Sequence, residues 1–432
     1  MNQHRRALAP LLCLTIILTA AAAARAQESD APKVEVGVQF TTLAVRSPDF
    51  FGTQNEPGFG GRAGYNFTDY FAVEAEANFF PGTQIFSTHS TGGSIQQVQA
   101  GVKVGKRYNR FGIFGKARPG FVSHSRVFTI EEAAGGGVQF DEQRRTHFSL
   151  DVGGVLEFYP SRRLMVRFDF GDTVVRYGER PLFGTIDGGI VNSPAEVTHQ
   201  FQFSGGIGWR FGGGSGPAED AAADDRFDGE RRFEVGAQFS ALVLRIPRPT
   251  TNFPVFGPFE ETTDAEAGFG ARVGYNLTDN FAVEAEGNFY PRRTPSSVFN
   301  TATGGYPAQL QAGVKAGKRF RRFGLFGKAR PGFVTFSSVQ KLAGTETLDF
   351  GGFPFTVARF EPERQTNFSL DLGGVLEFYH SRRLFTRFDF GDTIIRYPER
   401  HQQSFLLSIP FTTAPAETQH NFQFTAGLGL RF

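Results

Sequence analysis

From residue 33 onward, apolar and polar residues alternate along the chain with a period of two. In 71–79, Phe71, Val73, Ala75, Ala77 and Phe79 fall on one face, and Ala72, Glu74, Glu76 and Asn78 on the other. In 147–159, Phe148, Leu150, Val152, Leu156 and Phe158 oppose Ser149, Asp151, Gly153, Glu157 and Tyr159. In 199–211, Phe201, Phe203, Ile207, Trp209 and Phe211 oppose Gln200, Gln202, Ser204 and Arg210. Successive side chains of a strand point to opposite faces, so this period predicts strands with one apolar and one polar side. The segments 33–45, 58–66, 96–107, 110–122 and 164–176 complete a set of eight, and the fold class is all-β.

The set is then repeated. FAVEAE (71–76) recurs at 281–286, FGKARPGFV (114–122) at 326–334, GGVLEFY (153–159) at 373–379 and RFDFGDT (167–173) at 387–393. Between the copies, 212–231 is rich in Gly, Ala and Asp and reads as a flexible acidic linker.

The connections decide the topology. Those at 66–69, 108–110 and 160–163 are tight, whereas 46–57, 81–95, 124–145 and 178–197 are long and rich in Gly, Ser, Thr and Pro. Short turns on one rim and long loops on the other describe an up-and-down barrel of the bacterial outer membrane, with periplasmic turns and termini. A soluble ligand-binding barrel also alternates, but it turns its apolar face inward. Three features favour lipid outside. Phe, Leu and Val crowd the apolar face of every strand. Glycines such as Gly37, Gly101, Gly105, Gly120, Gly153 and Gly206 line the polar face and suit a narrow lumen. Tyr65, Phe67, Tyr70, Phe71, Tyr108, Phe111, Phe158, Tyr159, Trp209 and Phe211 collect beside the short turns, where an interfacial girdle belongs.

The first residues agree with export. His4, Arg5 and Arg6 precede an apolar run that ends in Ala24-Arg25-Ala26, so 1–26 is expected to be a cleaved secretory signal peptide. Cys13, the single cysteine, leaves with it, which removes disulfides and thiolate sites from the mature chain. The heavy use of Phe (51) and Gly (53) at a mean hydropathy of −0.25 fits amphipathic strands rather than apolar helices. A formal net charge of +2 gives no electrostatic reason to expect a nucleic-acid partner.

Eight alternating strands, alternating loop lengths and a terminal Phe-x-Phe…Arg-Phe together resemble the OmpA-like small outer-membrane β-barrels. Each copy is covered nearly end to end. The resemblance implies two tandem eight-stranded antiparallel barrels, 27–211 and 232–432, in the outer membrane of a Gram-negative-type bacterium. Phe211 and Phe432 would then supply the terminal aromatic signal read by the barrel-assembly machinery. Outer-membrane lipid is the other expected partner. The alternative closure is one 16-stranded, water-filled porin, which alternation alone does not separate from two small barrels. A closing-type strand at 201–211 followed by so long a linker favours two.

If the polar face points inward, one lumen gathers Glu35, Arg62, Glu74, Glu76, Lys103, Lys116, Arg118, Asp151, Glu157, Arg167, Asp169 and Arg210. The other gathers Glu234, Arg272, Glu284, Glu286, Lys315, Lys328, Arg330, Asp371, Glu377, Arg387, Asp389 and Arg431. Desolvated charges must pair, so an interlocking salt-bridge network that fills each lumen is expected ahead of an ion path. No catalytic residue, metal site or cofactor is expected. Ser123, His124 and Ser125 near the outer rim read as surface-loop residues, since the repeat has Thr335-Phe336-Ser337 there. GFGGRAG (58–64) leads into a strand and lacks the spacing of a phosphate loop. Pro119 and Pro331 interrupt a strand that a barrel needs paired, and Asp172 and Asp392 fall in the lipid-facing register. A bulge near the outer rim, or strands projecting beyond the bilayer, would accommodate both. The role this leaves is structural or surface-interactive, carried by the long outer loops.

Overall fold

The computed structural model describes residues 32–49, 53–82, 88–133, 137–183, 190–212, 232–247, 262–294, 296–299, 301–350, 353–404 and 410–432. The expected signal peptide and nearly all of the expected linker lie outside these residues.

The first copy forms β1 (Val34–Arg46), β2 (Thr53–Asn66), β3 (Phe71–Phe80), β4 (Ile95–Arg107), β5 (Phe111–Ala133), β6 (Gly137–Phe158), β7 (Leu164–Tyr177), the short hairpin β8 (Arg180–Phe183) and β9 (Ile190–Ser193), and β10 (Glu196–Phe211). The long strands pair antiparallel in chain order, and β10 returns to β1. The second copy repeats this with β11 (Phe233–Ile246), β12 (Thr262–Asn276), β13 (Phe281–Phe289), β14 (Pro307–Arg319), β15 (Phe323–Phe350), β16 (Phe353–Tyr379), β17 (Leu384–Tyr397), the hairpin β18 (Arg400–Gln403) and β19 (Phe411–Ala414), and β20 (Glu417–Arg431). Here β20 returns to β11.

Each copy is therefore a closed eight-stranded barrel, and the single 16-stranded barrel is excluded. The reason lies in the backbone. Val34 to Leu43 are matched to Phe211 through Gln202 on one side and to β2 on the other, so β1 has no free edge to pass on. Among the described residues the copies share only one ladder pair, Ala265 with Asn55.

Several expectations need correction. The 124–145 connection is largely strand, because β5 and β6 run on past a bulge between His124 and Val127. The extra residue shifts the alternation by one, so the period read from the membrane side breaks there. The β15–β16 hairpin goes further, with register shifts at Phe336/Val339 and Leu342/Gly344 before its tip. Neither proline lies at a bulge. Pro119 stays in register with Leu150, and on the β4 side pairing lapses only between Val102↔Ala117 and Gln99↔Gly120. Pro331 repeats this against Leu370 and β14. The missing N–H thus forfeits a short stretch of ladder without shifting the register. The Asp172 carboxylate accepts the backbone N–H of Gln200 at 3.0 Å and lies 2.5 Å from His199 Nδ1. Asp392 does the same with Asn421 and His420.

Most of the girdle aromatics are outward and exposed, including Tyr65, Phe67, Tyr70, Tyr108, Trp209 and Phe211. Phe158 and Tyr159 are not: both are buried, Tyr159 inside the lumen. Phe203, expected to face lipid, instead packs on Phe239 of the other barrel, and Ile207 is half-buried against a cluster formed by residues of both barrels.

The lumen charge networks

Alternation aims every second residue of each strand into the barrel, and an eight-stranded barrel is narrow enough for side chains from all sides to meet. The charged residues predicted for the lumen do meet there. Glu35, Arg62, Glu74, Glu76, Lys103, Lys116, Arg118, Asp151, Glu157, Arg167, Asp169 and Arg210 are all buried. Glycine makes the room. A Cβ on Gly153 would lie 2.1 Å from the Phe170 carbonyl oxygen, so the strands approach there closer than any other residue permits.

At the end beside the short turns Lys103 lies 2.5 Å from Glu157 and 3.2 Å from Glu35. Arg107 donates to Glu35 at 3.1 Å and to the Tyr159 hydroxyl, also at 3.1 Å, and that hydroxyl donates to Glu157 at 2.6 Å. Arg210 approaches Glu35 to 3.6 Å. In the middle Arg167 holds Glu74 by two bonds of 2.6 and 2.9 Å and holds Asp169 at 2.6 and 2.7 Å. A guanidinium bonded on both edges in this way is fixed in plane. Arg118 reaches Glu76 at 2.5 Å, Glu74 at 3.2 Å and Asp151 at 2.5 Å. Lys116 adds Asp151 at 2.8 Å and Asp169 at 3.6 Å.

Toward the outside the charges give way to amides. Asn78 donates to Glu76 at 2.6 Å and to Gln97 at 2.8 Å, Gln97 bonds Gln202 at 2.9 Å, and Thr173 donates to Gln202 at 2.8 Å. Above them His147 packs on Tyr177, with ring centroids 4.5 Å apart, and on His124 at 5.9 Å.

The second barrel repeats the network. Lys315 contacts Glu377 at 2.5 Å and Glu234 at 3.3 Å. Arg387 takes Glu284 at 2.7 and 2.9 Å and also Asp389. Arg330 takes Glu286 at 2.6 Å, Glu284 at 3.2 Å and Asp371 at 2.5 Å, and Lys328 takes Asp371 at 2.8 Å. Arg431 reaches Glu234 at 3.1 Å, and buried Arg272 donates to Gln238 at 3.4 Å. Two copies with different loops keep the same pairings, so the network belongs to the strands and not to the loops.

Sequence reasoning missed Arg107 and Arg319, which end their strands beside a turn and read as rim residues. Tyr159 carried the signal that would have found it, since the alternation already set it opposite Phe158. The three rim residues diverge. His124 points inward and is fully buried, not a surface-loop histidine. The Ser123 hydroxyl accepts a bond from Thr146 at 3.0 Å, and that of Ser125 accepts the Ser94 N–H at 2.8 Å. Residues 58–64 lie in β2, as strand. Phe211 and Phe432 both project outward, and Phe432 closes a reciprocal pair of backbone bonds with Phe233.

Closed antiparallel barrels with an apolar exterior, a charged and internally paired interior and a ring of aromatics by the short turns define an integral β-barrel membrane protein. The family model for the outer membrane protein beta-barrel domain matches residues 11–212 and again 214–432. The chain belongs to that family, in tandem, and the family implies a Gram-negative outer-membrane location. Among solved structures it is similar to Ail, the attachment invasion locus protein of Yersinia pestis, at 14% identity over 42% of this chain and 99% of that one, with a TM-score of 0.27. Neisserial surface protein A matches at 14% identity over 41% and 97%, with a TM-score of 0.27. The N-terminal β-barrel domain of Pseudomonas aeruginosa OprF matches at 12% over 43% and 100%, with a TM-score of 0.23. The family match, not these likenesses, carries the assignment. No curated protein matches the chain by sequence.

Proposed function

We propose that the chain is a structural or surface-interaction protein of the outer membrane, its two lumens plugged by salt bridges and its long outer hairpins forming the working surface. The observation that carries this reading is the packing of the lumen: Arg118 and Asp151 are 0% exposed, and Arg167 is 1%. A path for solutes needs water between such groups, whereas here the guanidiniums of Arg118 and Arg167 are spent on carboxylates, as are those of Arg330 and Arg387 in the second barrel. Outside, β15 continues for roughly 45 Å of strand beyond Phe336. That arm carries exposed charge, including Lys341 paired with Glu363 at 2.9 Å. Lipid around the barrels and the assembly machinery at the terminal aromatic strand are the expected partners. The divergence of Ser123, His124 and Ser125 supports a non-enzymatic role.

The test is electrical. Purified full-length protein in planar bilayers is expected to give no steady conductance. A stable, porin-sized conductance from the intact chain would overturn the closed-lumen reading.

A further inference from the structure

In a lone barrel every outward residue of β1, β7 and β10 would meet lipid. On one side of each barrel they do not. Phe158, Val166 and Phe168 are buried in a cluster with Phe378, Phe388, Phe424 and Ala426 of the other barrel. Phe168 is 6% and Phe388 5% exposed, against 58% for Val98 and 56% for Phe121 on strands away from this seam.

The contacts follow the repeat. In the aligned copies Phe40 corresponds to Phe239, and Phe203 to Phe424. Phe40 packs on Phe424 with ring centroids 4.1 Å apart, and Phe203 packs on Phe239 at 4.0 Å. This is one contact made twice with the roles exchanged. Other residues meet their own counterparts: Phe168 stacks on Phe388 at 5.8 Å, and Asn55 is the ladder partner of Ala265. Gly205 lies against its counterpart Ala426, and a Cβ built on it would stand 3.2 Å from the Ala426 Cβ and 3.4 Å from Phe388 Cε1. Exchanged pairs flanking self-pairs are the signature of an isologous two-fold interface. At Gly205 and Ala426 the two walls come so close that a larger side chain on either would collide with the facing wall.

We propose that this seam is a specific docking surface. The β7–β10–β1 face of one barrel recognises the equivalent face of the other, making the chain a covalently tied dimer of barrels whose pairing is set by the seam and not by the linker. Lipid tails are as apolar as phenylalanine, so hiding the rings from lipid gains nothing by itself. Ring stacking and close wall-to-wall packing supply the attraction. The occupant is the chain's own second barrel, because about twenty residues of the same chain join the two and hold it at an effective concentration on the order of millimolar, ahead of any second chain.

The test uses the full chain in outer membranes, in a Cys13→Ser background. Gly205→Cys and Ala426→Cys are introduced together, since their Cβ separation is close to the roughly 3.5–4.5 Å that a disulfide spans. After mild oxidation and denaturation, a thiol-reactive polyethylene glycol maleimide is added. The seam predicts a monomer-sized band that takes no label until reductant is present, and two labels afterwards. Cysteines at Ala100 and Ala312, outward on β4 and β14 away from the seam, should take two labels without reductant. Two labels on the seam pair without reductant would overturn the proposal, as would a disulfide-linked band of twice the size. If the seam pair fails to assemble, Phe203→Cys with Phe239→Cys is treated with a short bismaleimide, where the seam predicts a monomer-sized band that takes no label with or without reductant, and two labels or a crosslinked band of twice the size would overturn the proposal.

Discussion

Replacing Arg118 with methionine asks whether the lumen is a dry, paired core or a wet passage. Arg118 serves three carboxylates, and its loss leaves them unequally provided for. Glu74 keeps both bonds from Arg167, and Asp151 keeps Lys116 at 2.8 Å. Glu76 keeps only the Asn78 amide at 2.6 Å and becomes a buried carboxylate without a cation in contact. Removing one partner of a buried pair costs about 3–5 kcal/mol, much of it the penalty of the stranded charge. With a urea slope of about 2 kcal/mol per molar, the unfolding midpoint should fall by about 2 M. The chain supplies its own reporter, because its one tryptophan, Trp209, lies in the first barrel. Fluorescence of the protein in lipid vesicles therefore follows that barrel alone. Arg330→Met, the same change in the second barrel, should move the Trp209 midpoint by less than about 0.5 M, as expected of a distant site. Adding Glu76→Gln to Arg118→Met should recover part of the loss by removing the stranded charge. A shift below about 0.5 M for Arg118→Met would refute the reasoning, since it would mean that water already solvates Glu76.

Three further outcomes are expected. Gly153→Ala should cost about 1–3 kcal/mol by overpacking, read as a lower Trp209 midpoint, because its Cβ meets the Phe170 carbonyl oxygen 2.1 Å away. Deleting 343–358 from the arm should leave a barrel that still shows heat-modifiable gel migration, because the described residues of that stretch form ladder pairs only within the hairpin; loss of membrane insertion would show that the arm supports the barrel. Phe432→Ala should lower the assembled fraction in cells several-fold while leaving refolding into detergent unchanged, and an equal loss in both would assign Phe432 to stability instead of assembly.

Much of this could be read from the residues. A period of two fixes inside and outside along each strand, because a one-residue slip would turn the lumen charges to lipid and the outward phenylalanines into the lumen. That constraint made the charge network legible from Glu74 and Glu76 on β3 to Arg167 and Asp169 on β7. It failed where the period itself was broken. The bulge after His124 hid the continuation of β5, and with it the inward, buried position of His124. It also failed at Arg107, where a strand end beside a turn carries little pattern.

Alternation determined that Phe168, Phe203 and Phe388 point outward. It did not determine what they meet. A lipid tail and a facing phenylalanine wall are equally apolar, so no polar–apolar contrast along the chain separates one from the other. Closure into two barrels depended likewise on which distant edge each terminal strand bonds, and backbone N–H and C=O groups are the same whichever side chains they carry. Those two matters, the return of β10 to β1 and the seam between the barrels, were decided by tertiary structure, through contacts that join residues as far apart in the chain as Phe40 and Phe424.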